Sequence, residues 1–243
     1  MNFAIIVSRQ DPAGLNIKEN LLKDYSFKEV SIFDKSPVYE LDEKVAGKNK
    51  IRLFTIEEKS ISFEYPEEKI TDFDIDIVLF ATKHQGKEGV KSLCIHTPGN
   101  WGKAEYGGED EKLCIAPIKY LKTGHDLLEK NNTEFNLNWQ VIQECTHHGP
   151  YSEKPVIFME IGSTEEEWPD KQAGNLLAKS IIELLTEEPD EFDELEPVFG
   201  IGGLHHTPQF TKISKRSNFA FGHVCAKYQL ETLNTELIFS ALN

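Results

Sequence analysis

The 243-residue chain carries 41 acidic against 26 basic side chains, a net charge of −15 at pH 7. That surface excludes nonspecific nucleic-acid or DNA binding as a main activity, because such binding needs cations to neutralise phosphates, and it predicts a self-repelling protein expected to be monomeric. No run of about 18 apolar residues occurs, the opening Met1–Val7 has neither a basic leader nor a cleavage site, and the four cysteines lack close pairing, so a cytoplasmic protein with reduced thiols and no membrane contact is expected.

Residues 2–8 read as an apolar strand. Asp11-Pro12 then opens a helix to about Lys23, with Asp11 as N-cap and Pro12 at the first helical position. Short β-rich segments near 28–33, 50–56 and 60–64 follow. Ile75 to Ala81 is a continuous apolar strand of the kind buried on both faces of a parallel sheet, and Leu93 to His96 reads as another. Helix 117–130 and strands 138–144 and 155–161 come next. Leu176, Leu177, Ser180, Ile181, Leu184 and Leu185 recur at helical spacing within Ala173–Leu185. The start of that helix is open between a Thr164–Glu167 capping box and Pro169 as first helical residue. The acidic Glu187–Glu196 stretch carries a Pro189-Asp190 turn; strands 197–201 and 219–225 and a C-terminal helix from about Gln229 close the chain. The alternation predicts one domain over 1–243, an α/β sandwich with a mixed, largely parallel sheet.

In open α/β sheets ligands bind beyond the carboxyl ends of the strands. Five predicted strand exits carry distinctive residues. Thr82–Gly86 holds Lys83, and Thr97–Gly102 holds Asn100 and Trp101. Thr146-His147-His148-Gly149-Pro150 follows Glu144-Cys145; Gly162-Ser163-Thr164 and Gly202-Gly203-Leu204-His205-His206 are the last two. His147 or His148 beside Glu144 reads as a general base toward water. Gly162-Ser163-Thr164 before a helix offers backbone N–H groups to an anion. His148, His205 and His206 are candidate metal ligands, although adjacent histidines on a strand point to opposite faces and share one ion only in an irregular loop. Two basic clusters, Lys83, Lys87, Lys91 and Lys212, Lys215, Arg216, are candidate phosphate contacts. Phosphate-loop, dinucleotide-binding, H-E-x-x-H and nucleophile-elbow motifs are absent.

Ser8 to Ile17, Glu144 to Pro150, Met159 to Trp168 and Gly200 to His206 together resemble the archaeal and plant type of D-aminoacyl-tRNA deacylase. The resemblance implies a single α/β domain related to the phosphorylase/peptidyl-tRNA-hydrolase fold. It further implies hydrolysis of the ester joining a D-amino acid, or glycine mischarged on alanine tRNA, to tRNA, with zinc as cofactor and the aminoacyl-tRNA acceptor end as partner. On that reading Trp101 stacks the terminal adenosine, Lys83, Lys212, Lys215 and Arg216 meet the acceptor stem, and backbone near Gly149-Pro150 or Gly202-Gly203 excludes an L side chain. One departure is visible: His206 stands where the family usually has an aromatic residue. The alternatives are a phosphorylase-like or other small-ester hydrolase acting on nucleosides or metabolites, and a non-catalytic metal- or nucleotide-binding protein.

Overall fold

The computed structural model describes residues 1–86, 89–186 and 195–242. Its elements run β1 (Asn2–Ser8), α1 (Pro12–Asp24), β2 (Phe27–Phe33), β3 (Ser36–Leu41), α2 (Glu43–Ala46), β4 (Lys50–Ile56), α3 (Pro66–Lys69), β5 (Ile77–Lys83) and β6 (Ser92–His96). These are followed by α4 (Ile118–Glu134), β7 (Gln140–Gln143), β8 (Val156–Gly162), α5 (Lys171–Thr186), β9 (Glu196–Ile201), α6 (Pro208–Ser214), β10 (Phe219–Cys225) and α7 (Thr235–Leu242). Eight strands form one sheet in the order β2-β3-β4-β1-β5-β8-β6-β7, and β9 and β10 pair parallel in a second. β1, β4, β5 and β8 run parallel, whereas β6 pairs antiparallel with β8 and parallel with β7. The mixed, largely parallel α/β sheet expected from the alternation is present.

The two faces are built differently. Phe3, Ile5, Val7, Leu79, Ile157 and Met159 alternate toward one face, where Ile17 and Leu21 of α1, Leu121 and Leu128 of α4 and the apolar stripe of α5 cover them. The opposite face carries Ile6, Phe54, Val78, Phe80 and Phe158 and is closed by Phe63, Ile70, Phe73 and Cys114 from short helices and loops. Along that second face the next inward positions turn polar: Thr82 after Phe80 on β5, and Glu160 after Phe158 on β8. The apolar half seals the core, and the polar half is left to chemistry.

Asp11 caps α1 as expected, with Oδ1 accepting from Gly14 N at 2.8 Å. Its other oxygen accepts from Lys83 N at 3.0 Å, which ties the start of α1 to the exit of β5. Several boundaries differ from the sequence reading. Residues 60–62 form a 3₁₀ turn and not a strand, because Ser60 and the half-buried Ile61 fold over the sheet's second face. The hairpin strand β3 (Ser36–Leu41) has no counterpart in the sequence reading. Thr164 and Glu167 do bond, Thr164 N and Oγ1 donating to Glu167 at 3.0 and 2.7 Å, but α5 begins only at Lys171 with Asp170 accepting from Gln172 N and Ala173 N. Near the C-terminus Lys227–Thr232 is a 3₁₀ segment and the helix starts at Thr235. The Pro189-Asp190 turn and Lys87 lie outside the described residues. All four cysteines are free and buried, and no helix among the described residues is long and apolar enough to cross a membrane.

Candidate active site

Six of the chain's eight histidines converge around two buried carboxylates. Glu160 comes from β8. Glu144 follows β7, whose ladder continues as Glu144 N bonds Ile95 O at 3.1 Å. His84 leaves β5, its N–H donating to Ile161 O and its carbonyl accepting from Trp168 Nε1, both at 2.9 Å. His96 ends β6 opposite Phe158. Because β6 and β7 oppose β8, their carboxyl ends do not exit with those of β5 and β8; they stop part-way along β8, and this brings His96 and Glu144 beside Glu160. The expectation of five exits at one sheet edge is corrected accordingly.

The Glu144–Pro150 segment bridges the two sheets. Cys145 N bonds His205 O at 2.8 Å, and Thr146 N bonds Val224 O at 3.0 Å. Those bonds deliver His205 to the site and set the start of the following loop. His148 then takes a left-handed backbone (φ 45°), which breaks the strand alternation that would send the rings of His147 and His148 to opposite faces. Their centroids lie 4.3 Å apart, and both pack against His96, at 4.6 and 5.0 Å. Left-handed geometry in a residue with a Cβ costs on the order of 1–3 kcal/mol and persists where its surroundings enforce it. Gly149 helps enforce it: a Cβ there would stand 2.1 Å from Gly108 N, so only glycine lets the two loops close.

Hydrogen bonds fix the tautomers of this pair. His147 Nδ1 donates to Cys145 O at 2.8 Å, and His148 Nδ1 donates to Gly149 O at 2.5 Å. Each Nε2 is thereby left with its lone pair. Burial, reinforced by the neighbouring histidines, pushes His147 well below the usual imidazole value and His148 down to about 4, so both stay neutral. The other two histidines behave oppositely. Burial would lower His84, but Glu144 at 2.9 Å and Glu160 at 3.7 Å outweigh it and raise the ring to about 10. Burial likewise opposes a charged His205, while Cys145 and Glu144, the latter 3.1 Å from Nε2, raise it to about 10. Burial disfavours charge on both carboxylates too, yet His205 and His84 hold Glu144 far below its usual range, and His84 and His96 hold Glu160 at about 2.

Among the described residues four groups could hold a metal ion, each with ligand atoms within 4.8 Å of one another: His96, His147 and His148; Cys145, His147 and His205; His84, Glu144 and His206; and His96, Glu144 and Glu160. The expected set of His148, His205 and His206 is not among them, because the three side chains fall into three different groups. The first group has the strongest physical case. Neither ring nitrogen of buried His96 has a hydrogen-bond partner, and Glu160 stands 3.8 Å from its Nε2, beyond hydrogen-bond reach. A buried imidazole with both nitrogens orphaned is costly unless a cation completes it. Glu144 Oε1 and His84 Nε2 also lack an aligned partner, the 2.9 Å approach of His84 Nδ1 to Oε1 being a close ion pair without hydrogen-bond alignment.

The site opens into a cleft of about 1070 Å³ lined by His84, His147, His148, Glu160 and His205. Lys83 and Asn100 line it as well; the Lys83 ammonium rests 4.3 Å over the Trp168 ring, and Asn100 Nδ2 donates to Gly107 O at 2.9 Å. Trp101 is 1% exposed, its indole stacked on Phe199 and donating to Thr146 O, so it is core and offers no free face to a base. Gly149-Pro150 shapes the loop through packing on Gly107-Gly108, and Pro150 O accepts from Cys114 Sγ. Gly202 and Gly203, at φ 94° and 82°, turn the chain from β9 toward His205 without lining the cleft. Gly162-Ser163-Thr164 is not an anion cradle: Thr164 N is taken by Glu167, and Ser163 Oγ donates to Val90 O. Lys212, Lys215 and Arg216 lie on and after α6, away from the cleft, with Lys215 paired to Glu129.

The sequence reading did not assign roles to His84, His96, Glu160, Cys145 or Tyr228. One signal was legible: Glu160 is a lone carboxylate inside the apolar run Val156–Ile161, and such a residue is almost never fully buried unless paired. Two buried histidines, His125 and His223, stand outside the cluster. His223, 2% exposed, bonds Thr146 Oγ1 at 2.9 Å, and burial lowers its imidazole to about 4. An unfolded imidazole titrates near ~6.5, so the stability that neutral His223 contributes is present above that pH and lost as pH falls toward 4. His223→Gln is therefore expected to lose less stability than the parent between pH 6.5 and 4 in urea unfolding; an unchanged acid limb would refute the assignment.

A family model described as D-aminoacyl-tRNA deacylase matches residues 71–243. D-aminoacyl-tRNA deacylases of Pyrococcus abyssi and Archaeoglobus fulgidus are 36% and 34% identical to the chain over 244 and 242 residues, spanning 98% of this chain and 85% and 82% of those proteins. The solved structure of a conserved protein of unknown function superimposes with a TM-score of 0.87 at 33% identity, over 98% of this chain and 81% of that one.

Proposed function

The chain belongs to the D-aminoacyl-tRNA deacylase family, and on that premise we propose that its cleft hydrolyses the ester joining a D-amino acid to the 3′ end of tRNA, with the 243 residues acting as one catalytic unit. The observation that carries the reading is the pairing of two tautomer-fixed neutral imidazoles, His147 and His148, with a carboxylate clasped by two protonated ones, Glu144 between His84 and His205. An aminoacyl ester is already activated, so it needs a placed water, a proton acceptor and a proton donor rather than a covalent nucleophile.

His96, His147 and His148 fit a zinc ion, since burial keeps the latter two neutral and both nitrogens of His96 are orphaned. Zinc bound there supplies a Lewis acid and lowers the pKa of a bound water. The chain's own residues supply the rest. Glu144, whose Oε1 lacks an aligned donor, accepts the proton of the attacking water. His84 Nε2, unpartnered and protonated at neutral pH, donates to the ribose oxygen as it leaves, while Nδ1 keeps its proton against Glu144; Nε2 then regains a proton from water in the cleft as Glu144 releases the one it took. The balance is one water consumed, one ester bond broken, and a free carboxylic acid and ribose hydroxyl formed.

The test is turnover of D-tyrosyl-tRNA against L-tyrosyl-tRNA, with and without a chelator. Faster release from the D ester, lost on chelation and restored by zinc, is expected; equal rates on the two would overturn the chiral reading, and chelator-independent turnover would remove zinc from it.

A further inference from the structure

Four non-histidine aromatic side chains line the cleft, and two of them present a face to solvent: Tyr106, 67% exposed, and Tyr228, 63% exposed, against Trp101 at 1% and Phe158 at 0%. Only Tyr228 is tied to the catalytic groups. Its hydroxyl lies 3.0 Å from His205 Nδ1 and 3.5 Å from Cys145 Sγ, and its ring runs nearly parallel to the His205 imidazole, at 19° with centroids 6.4 Å apart. Its chain neighbours are tied down on both sides: Lys227 N donates to Gly203 O at 3.0 Å, and the Gln229 side-chain amide Nε2 donates to Thr146 O at 3.1 Å. The result is an aromatic ring pinned at one edge and open on its face, beside the His205–Glu144 pair. Tyr106 touches the site loop through its backbone, its carbonyl accepting from Gly149 N at 3.0 Å.

We propose that Tyr228 is the platform on which the terminal base of the unpaired 3′ end of tRNA stacks. The inference rests on the deacylase reading and names the part of the substrate held there. The reacting ester sits on the ribose of that terminal nucleotide, so its base must lie within one sugar of the reacting groups. Tyr228 meets that demand, since its hydroxyl reaches Glu144 through a single imidazole, in steps of 3.0 and 3.1 Å. Charge points the same way. At a net −15 the protein draws little affinity from phosphate neutralisation, and of the lysines lining the cleft, Lys59, Lys83 and Lys103, the last is bonded to Asp110. Stacking on an aromatic face needs no cation and accepts any base. The cleft, at about 1070 Å³, has room for an aminoacyl nucleoside. A stacked base would also immobilise Tyr228 and, through its hydroxyl, His205, so that occupancy by tRNA aligns the imidazole that positions Glu144.

The probe is the RNA trinucleotide 5′-CCA-3′, which needs no aminoacyl group and no turnover. Tyr228→Ala, at a largely exposed position, is expected to weaken its binding by roughly 5- to 100-fold, whereas Tyr228→Phe, which keeps the ring, stays within about twofold of the parent. A trinucleotide with an abasic 3′ ribose should bind the parent as weakly as 5′-CCA-3′ binds Tyr228→Ala. With D-aminoacyl-tRNA, Tyr228→Phe should lower kcat with little change in KM, because the hydroxyl holding His205 is lost. Phe239→Ala, equally exposed but outside the cleft, is the control for nonspecific loss. Unchanged 5′-CCA-3′ affinity in Tyr228→Ala, or no binding by the parent, would overturn the platform. Binding that behaves as described with no deacylation would instead count against the deacylase reading.

Discussion

His96→Ala is expected to remove bound zinc and lower kcat/KM by roughly 10³-fold or more, the several kcal/mol of charge stabilisation that a metal supplies. His96 is the informative position because it is 1% exposed and does not line the cleft, so its loss cannot be explained by a missing substrate contact. Its two nitrogens have no hydrogen-bond partner among the described residues, and its ring stacks on Phe158 at 5.3 Å between His147 and His148. Alanine leaves an apolar gap against Phe158 and no new charge, so the fold should survive. The measurements are zinc stoichiometry after dialysis and turnover of D-tyrosyl-tRNA. His147→Ala and His148→Ala should behave alike, since each removes one Nε2 lone pair from the same group. Parent-level zinc and turnover in His96→Ala would eliminate this group as the metal centre.

Glu144→Gln should lower kcat by about 10²–10⁴-fold, the range for a positioned general base, and should also alter the pH dependence of stability. The amide keeps the volume but cannot pair with His84 and His205, which Glu144 helps raise to about 10 against the opposition of burial. Both rings titrate near ~6.5 when unfolded, so their contribution is complete below that pH and disappears as pH rises through about 10. The stability gap between parent and variant, measured by urea unfolding with chelator present, should be widest at pH 6.5 and narrow by pH 10. A gap independent of pH would show that the two imidazoles are not charged against Glu144; unchanged kcat would remove it from the chemistry.

Local pattern was enough to read much of this protein. The apolar runs around Ile5, Leu79 and Ile157, the Asp11-Pro12 helix start and the stripe of α5 follow from side-chain periodicity and capping, which depend only on near neighbours in the chain. Glu144, His147, His148 and His205 were likewise legible, because clustered titratable residues beside glycine and proline stand out against apolar strands. Strand direction was not legible. Nothing in Ser92–His96 says that β6 opposes β8, and only that reversal sets His96 and Glu144 beside Glu160. Nor could composition separate Trp101 from Tyr228: both are aromatic residues in loops, and burial against Phe199 or exposure beside His205 is decided by what other segments pack there. The basic residues on and after α6 do not line the cleft for the same reason, since nearness in sequence to His205 and His206 does not decide which side chains face it. The order of residues along the chain supplies the groups able to do the chemistry; packing selects which of them meet, because protonation, metal affinity and access depend on long-range neighbours that no local pattern encodes.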